Sequence, residues 1–233
     1  MRRGVATVLL DAGGVLVEPD WAHVAGILGE SGVPAEAGAL AAADPRAKRD
    51  LDRPATICST DDRVRGGMYY RAILRRAGVP DPYGATADAG IAALVAGHAH
   101  HNLWSAVPPG VPEALDRLRA AGLALAVVSN ADGRIEGLLR DVDLLRRVDL
   151  VLDSGLLGFE KPDPRIFREA LRRTGADPAT TVHLGDYYEI DVVGARAAGI
   201  GAVLVDPSGA NADRECERTP SLAAFAATLL APR

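Results

Sequence analysis

Five short, almost continuous apolar segments are the feature of this sequence that most restricts its fold. They are ATVLLD (6–11), LALAVVSN (123–130), VDLVLDS (148–154), TVHLGD (181–186) and GAVLVD (201–206). A strand that is apolar along its whole length has to be covered on both faces, as in a parallel sheet between two layers of helices. These segments therefore predict an α/β fold with a doubly wound parallel sheet.

Segments with helical periodicity separate the later strands. Apolar residues recur at intervals of three and four in VPEALDRLRAAG (111–122), GRIEGLLRD (133–141), PRIFREALRRTG (164–175) and EIDVVGARAAG (189–199). Three of these four segments end in glycine, which commonly follows the last turn of a helix. The alternation of strand and helix is typical of the doubly wound architecture.

One long segment interrupts this alternation directly after the first strand. Between about Glu18 and Ser105 the pattern is helical, in runs such as WAHVAGILGESG and RVRGGMYYRAILRRAG, and no strand is predicted. These runs are punctuated by Pro34, Pro45, Pro54, Pro80 and Pro82. VPPG at 107–110 marks the return to the sheet. We therefore predict two domains, an α/β core of residues 1–17 and 106–233 and an inserted all-helical domain of residues 18–105.

Composition argues against several classes of function. The 233 residues are 48% hydrophobic, which is enough for a sizeable core. The net charge is −5 and the arginines are interleaved with acidic residues, so nucleic acid is not an expected partner. Cys58 and Cys216 form no CxxC pair, which fits a reducing cytoplasm. The apolar run before Asp11 is too short for a signal peptide or a membrane span.

Four polar motifs occur in a characteristic order along the chain. They are LLDAGGVLV, VVSNADG, GFEKPDPRIF and HLGDYYEID, and three of them fall where a predicted strand stops. Parallel sheets bind ligands at the carboxyl ends of their strands. The motifs, their order and the topology resemble the haloacid dehalogenase superfamily, with a Rossmann-like core and a helical cap inserted after the first strand. Most members of that superfamily are phosphatases with an aspartate nucleophile.

Phosphoryl transfer explains the acidic residues of these motifs. The reaction needs a nucleophile in line with the leaving group, and Asp11 is the candidate that would form an aspartyl phosphate. A Mg²⁺ ion held by oxygen ligands would bring the carboxylate and the phosphate together. The resemblance implies that Asp11, Asp186 and the backbone carbonyl of Gly13 bind this ion. Asp191 is expected in a supporting position, with Glu189 as a weaker candidate.

Ser129, Asn130 and Lys161 are the candidates for binding the phosphoryl group. The Ser129 hydroxyl and the Asn130 backbone amide can donate hydrogen bonds to it, although Ser129 also fits a simple helix cap. Lys48 and Lys161 are the only lysines among 26 basic residues. A lysine retained in FEKPDP suggests a need for a compact point charge, which would bind phosphoryl oxygens and restrain Asp11.

The first motif departs from the family pattern at Gly13. The usual motif has a second aspartate there, which protonates the leaving oxygen and then activates water. General acid–base catalysis of this kind typically accelerates a reaction by roughly 100- to 10,000-fold. The sequence DAGG therefore predicts a phosphatase of a small phosphorylated metabolite with a non-standard general acid, such as Glu18, Asp20 or His23, or with a good leaving group. A monomer or a homodimer fits this prediction equally.

Two other hypotheses remain open at this stage. The first is different chemistry on the same scaffold, either 2-haloacid dehalogenation or phosphonate hydrolysis with Lys48 as a Schiff base. Lys48 lies in the charged run DPRAKRDLD, so we expect it to be solvent-exposed. The second is a protein that binds a phosphorylated ligand with little turnover.

Overall fold

A computed structural model of the protein describes residues 4–231, which include a six-stranded sheet. Every pair of neighbouring strands is parallel, and the strand order is β3-β2-β1-β4-β5-β6. The strands are β1 (Thr7–Leu10), β2 (Ala124–Ser129), β3 (Leu150–Asp153), β4 (Thr181–Gly185), β5 (Gly201–Val205) and β6 (Glu217–Thr219). The predicted doubly wound α/β fold is confirmed, and each of the five predicted apolar segments forms a strand.

Helices flank this sheet. The α-helices are Val111–Ala120, Ile135–Asp141, Ser154–Leu157, Pro164–Thr174, Val193–Ala197 and Leu222–Leu229, with a π-helical turn at Tyr188–Val192 and short 3₁₀ turns at Leu145–Arg147 and Pro178–Thr180. The apolar face of the helix Pro164–Thr174 belongs to a buried cluster in which Ile166 and Phe167 join Leu9 and Ala126 of the sheet. Burying both faces of the strands is the main stabilisation of such a layered core.

The described residues form two compact units. One comprises the chain up to Glu18 and from Val107 onward, and the other is Pro19–Ala106. The second unit contains the helices Trp21–Glu30, Ala37–Leu51, Pro54–Ser59, Asp62–Arg76 and Ala85–His100. Between residues 4 and 231 no helix combines the length and the hydropathy that crossing a bilayer requires.

Three details of the fold differ from the sequence-based predictions. Pro45 lies inside the helix Ala37–Leu51 rather than between helices, and that helix packs along Asp62–Arg76. Packing against a neighbouring helix compensates for the hydrogen bond that a proline removes. The edge strand β6 and the final helix Leu222–Leu229 were not predicted, since β6 has three residues and only its last is buried. The predicted helix at 189–199 begins as the π-helical turn.

Candidate active site

The candidate site lies where the strand order of the sheet reverses. The chain proceeds from β1 outward to β2 and β3, and then returns to place β4 on the other side of β1. Leu10 pairs with Leu184, so Asp11 and Asp186 both follow the carboxyl ends of adjacent central strands. Ligands of open α/β sheets bind at such a reversal, because the loops there diverge and leave a crevice.

Three carboxylates converge at this edge of the sheet. Asp11, Asp186 and Asp191 each offer an oxygen, and these oxygens lie within 4.8 Å of one another. Gly14 makes room for this arrangement, because a Cβ at that position would overlap the Asp186 carboxylate. Its φ of +72° is also one that residues with side chains rarely adopt. Gly13, which precedes it, is not among the glycines with positive φ.

Lys161 provides the positive charge at the centre of this group. Its side chain is fully buried, and its Nζ lies 2.9 Å from Asp11 Oδ1 and 2.7 Å from Asp191 Oδ1. The Asn130 side chain fixes the lysine backbone: Asn130 Nδ2 donates to the Lys161 carbonyl at 2.9 Å, and the Lys161 N–H donates to Asn130 Oδ1 at 2.7 Å. The two carboxylates offset the large desolvation penalty of a buried ammonium group.

Asp191 is held from three directions. Its Oδ1 lies 2.7 Å from Lys161 Nζ and 2.9 Å from His183 Nε2, while its Oδ2 accepts from the Tyr187 N–H at 3.0 Å. The π-helical turn Tyr188–Val192 turns this side chain back toward β4. A Cβ at Gly185 would overlap the Asp191 carboxyl carbon, so a glycine is needed at the end of β4.

His183 is a site residue that sequence reasoning missed. It is fully buried in β4, and its ring packs edge-on against Phe167 with 5.0 Å between centroids. Side chains two residues apart on a strand share a face, so His183 and Gly185 lie on the same side of β4. A polar residue in an otherwise apolar strand, two positions before a glycine, was the signal available in HLGD.

Burial and neighbouring charges shift the pKa values of these groups. Burial raises the pKa of Asp11 to about 7, against the attraction of Lys161. Burial acts in the same direction on Asp191, but Lys161 and His183 outweigh it and hold the pKa of Asp191 below its ordinary range. Burial disfavours the charged form of Lys161, yet Asp11 and Asp191 keep the pKa of Lys161 raised. Burial lowers the pKa of His183, against the hydrogen bond and the charge of Asp191.

Ser129 and Asn130 lie at the carboxyl end of β2, beside β1. Ser129 is buried, and its Oγ lies 3.4 Å from the Asn130 carbonyl oxygen. Asp153, at the end of β3, supports the loop that follows β2. Its Oδ1 accepts a hydrogen bond from the Gly133 N–H, and its Oδ2 accepts one from the Ile135 N–H. The structure thus places the Ser129 hydroxyl at the same sheet edge as Asp11.

Glu189 is engaged elsewhere. Its Oε1 lies 3.0 Å from Arg214 Nη1, and the Arg214 guanidinium lies 4.6 Å from the centroid of the Tyr188 ring. An ion pair of this kind neutralises the carboxylate. Glu189 is not part of the carboxylate cluster that Asp11, Asp186 and Asp191 form.

Lys48 does not behave as its sequence context predicts. The expectation of an exposed side chain is wrong, because only 7% of the residue surface is accessible. Its Nζ lies 2.9 Å from Asp44 Oδ2 and 5.2 Å from the centroid of the Trp104 ring, and the Tyr69 hydroxyl donates to Asp44 Oδ1 at 2.6 Å. A paired carboxylate and an aromatic face compensate for the lost hydration of the ammonium group.

The candidates for the general acid missing at Gly13 are Glu18, Asp20 and His23, and two of them have contacts within their own helical unit. Asp20 caps the helix Trp21–Glu30 by accepting a hydrogen bond from the His23 N–H at 3.0 Å. The His23 ring packs edge-on against His101. Glu18 is exposed.

The donor set at the sheet edge fits Mg²⁺. Mg²⁺ prefers oxygen ligands and commonly uses one or two carboxylates together with substrate phosphate oxygens. Asp11, Asp186 and Asp191 bring three carboxylates together, and the Lys161 ammonium pairs with Asp11 and Asp191, so the acidic groups of this cluster outnumber its basic group. A divalent cation would neutralise that excess.

Comparison with known proteins gives a consistent family. Residues 5–199 match the family model described as haloacid dehalogenase-like hydrolase. The human haloacid dehalogenase-like hydrolase domain-containing protein 3 is 44% identical over 106 residues, which cover 46% of this chain and 42% of the human protein. The glyceraldehyde 3-phosphate phosphatase of Methanothermobacter thermautotrophicus is 38% identical over 109 residues, or 46% of this chain and 48% of that protein. The chain thus spans less than half the length of either relative.

A solved structure shows the same fold. The HAD-hydrolase YfnB from Bacillus subtilis bound to magnesium has a TM-score of 0.71 and 18% identity, over 99% of this chain and 100% of that one. At this level of identity the likeness concerns the fold alone.

Proposed function

The chain belongs to the haloacid dehalogenase-like hydrolases, and we propose that it is a Mg²⁺-dependent phosphatase of a small phosphorylated metabolite. One observation carries the proposal: the Asp11 carboxylate lies 2.9 Å from the buried Lys161 ammonium, within a cluster of three carboxylates at the reversal of the sheet. This arrangement supplies a nucleophile, a positive charge for phosphoryl oxygens and ligands for a divalent cation. The phosphatase name of the archaeal relative supports the same reaction class.

Asp11 acts as the nucleophile in this proposal. An oxygen of its carboxylate forms a bond to phosphorus while the bond from phosphorus to the leaving oxygen breaks, giving an aspartyl phosphate. Water then attacks this intermediate and releases phosphate. Lys161 orients the carboxylate and, with the Ser129 hydroxyl and the Asn130 backbone amide, stabilises the charge on the phosphoryl oxygens.

Mg²⁺ would be held by Asp11, Asp186 and the Gly13 carbonyl. When bound, the ion offsets the repulsion between the nucleophile and the phosphate and stabilises charge in the transition state. Asp191 supports the site through Lys161. This division of roles follows from the contacts of Asp191, whose Oδ1 meets the Lys161 ammonium and whose Oδ2 meets a backbone N–H.

Gly13 restricts which leaving groups the substrate can have. It offers no side chain to protonate the leaving oxygen, so that oxygen must leave with more negative charge. Anomeric, acyl or aryl phosphates should be better substrates than simple alkyl phosphates, because their leaving groups are less basic. In this proposal residues 18–105 are a helical cap that selects the leaving group.

Hydrolysis of an aryl phosphate tests the proposal. Activity should require Mg²⁺, and Asp11→Asn should abolish it, because the amide keeps the shape of the side chain and removes the nucleophile. Asp143→Asn is the matched control: it makes the same chemical change at an exposed residue that pairs with Arg146, before β3 begins. Retained activity in Asp11→Asn, or a rate that EDTA does not change, would show the mechanism to be wrong.

Three further assays separate the other hypotheses. Metal-independent halide release from a 2-haloacid would indicate a dehalogenase. Borohydride trapping of an aldehyde on Lys48 would indicate phosphonate chemistry, although the pairing of Lys48 with Asp44 opposes the neutral amine that a Schiff base needs. Tight binding of phosphate esters without turnover would indicate a ligand-binding protein.

A further inference from the structure

His183 makes a buried polar contact with Asp191, and the proposed mechanism does not assign a role to His183. The ring is fully buried in the central strand β4, and its Nε2 lies 2.9 Å from Asp191 Oδ1. The same carboxylate oxygen lies 2.7 Å from Lys161 Nζ, which in turn lies 2.9 Å from Asp11 Oδ1. A continuous chain of polar contacts thus runs from the interior of the sheet to the nucleophile.

The direction of the first hydrogen bond follows from its partners. An ionised carboxylate only accepts hydrogen bonds, and a neutral imidazole carries its proton on one of its two nitrogens. Asp191 is flanked by the Lys161 ammonium, which keeps it ionised. His183 Nε2 therefore carries a proton, and Nε2–H donates to Asp191 Oδ1.

This donor restricts the orientation of the Asp191 carboxylate. The Tyr187 N–H binds Oδ2, while His183 and Lys161 share Oδ1. Without the His183 donor, Oδ1 would be held by the lysine alone. The ammonium group is the mobile end of a long side chain, so its position would then depend on a less restrained partner.

We propose that His183 is a positioning residue that acts through Asp191 to hold Lys161 against Asp11. Its catalytic consequence rests on the proposed phosphatase function. The hydrogen bond itself is a property of the folded chain.

A pair of substitutions tests this role. The Nε2 of glutamine reaches about as far from the backbone as the Nε2 of histidine, so His183→Gln keeps an N–H donor to Asp191. His183→Met has similar length and no donor. We expect His183→Met to lower kcat/KM by about 10- to 100-fold, as is typical when an outer partner of an active-site ligand is lost. His183→Gln should recover most of that loss, which a role in packing alone would not produce.

Phe167→Leu is the matched control. It removes the ring that packs against His183 and should lower stability while keeping the hydrogen bond. Its kcat/KM should stay close to that of the wild-type protein. Equal activity of the Met variant and the wild type, or equal losses in the Met and Gln variants at similar stability, would overturn the proposal.

A second readout needs neither a variant nor turnover. Long-range ¹H–¹⁵N correlation spectra of the metal-free wild-type protein should show a proton on His183 Nε2 that exchanges slowly. An Nδ1–H tautomer would overturn the inference even if the chain is a phosphatase. The Nε2–H tautomer in a protein that hydrolyses no phosphate ester would support the hydrogen bond and overturn the proposed function.

Discussion

Replacing Gly185 with alanine should displace Asp191 and damage both the stability and the activity of the protein. Gly185 ends β4, and an added Cβ would overlap the Cβ and the carboxyl carbon of Asp191. Neither atom is the far end of a flexible side chain, so the aspartate has to move as a whole. That movement would disturb its contacts with Lys161, His183 and the Tyr187 N–H.

The size of the effect can be worked from these contacts. Separating the members of a buried ion pair typically destabilises a protein by about 3–5 kcal/mol. Forcing an additional methyl group into a close-packed interior costs about 1–3 kcal/mol. Both arise here from the same displacement and are therefore not added. We expect Gly185→Ala to lower the free energy of unfolding by about 3–5 kcal/mol, and kcat/KM to fall because Lys161 loses one of its two carboxylates.

Urea unfolding followed by circular dichroism measures this loss. Gly137→Ala is the matched control: Gly137 lies inside the helix Ile135–Asp141, and apart from its chain neighbours and the backbone of its own helix no atom lies within 4 Å of the added Cβ. Alanine there should stabilise the protein by about 0.4–1 kcal/mol. If Gly185→Ala stayed within about 0.5 kcal/mol of the wild type and retained activity, the description of Asp191 as tightly held would be refuted.

Three other predictions follow from the site and from the helical unit. Gly13→Asp should raise kcat/KM most for phosphate monoesters with basic leaving groups, because it restores a general acid. If kcat/KM of the natural protein does not change with leaving-group pKa, another residue already acts as the general acid, and Asp20 and His23 are the first to test. Mg²⁺ should bind about tenfold more weakly for each pH unit below 7, because the raised pKa of Asp11 means that the ion must displace a proton there. For the same reason the metal-free protein should lose stability as pH rises from about 4 to about 7, since folding favours the protonated Asp11 over that range, and Mg²⁺ should raise Tm more above pH 7 than below it; calorimetry that finds no proton release on Mg²⁺ binding at low pH would contradict both statements. Lys48→Met should destabilise the protein by about 1–3 kcal/mol, because it leaves the Asp44 carboxylate without its ammonium partner. Aryl phosphate hydrolysis should still depend on Asp11 in this variant, and a stability in urea equal to that of the wild type would show that the pair contributes little.

Several elements of this fold were predictable because their signals are local. Each predicted strand is a run of apolar residues long enough to cross a covered sheet, and each has a counterpart among β1–β5. The helix Pro164–Thr174 has its start and stop signals in the sequence, with Asp163 and Pro164 at one end and Gly175 in the left-handed conformation at the other. The edge strand β6 lacks such a signal, since an exposed three-residue strand depends on β5 for its pairing.

The candidate active site was also only partly predictable from the sequence. By itself, the sequence determined which residues stand at the strand ends, because chain order and apolar length place Asp11, Ser129 and Asp186 there. Only the tertiary structure decided what those residues touch. Asp11 and Asp186 are neighbours because β1 pairs with β4, and Lys161 reaches Asp11 from the loop before the helix Pro164–Thr174. His183 meets Asp191 because the π-helical turn brings Asp191 back beside Gly185. The physical reason is that burial makes an isolated charge costly, so each charged side chain takes a partner that the packing brings near, whatever its distance along the chain.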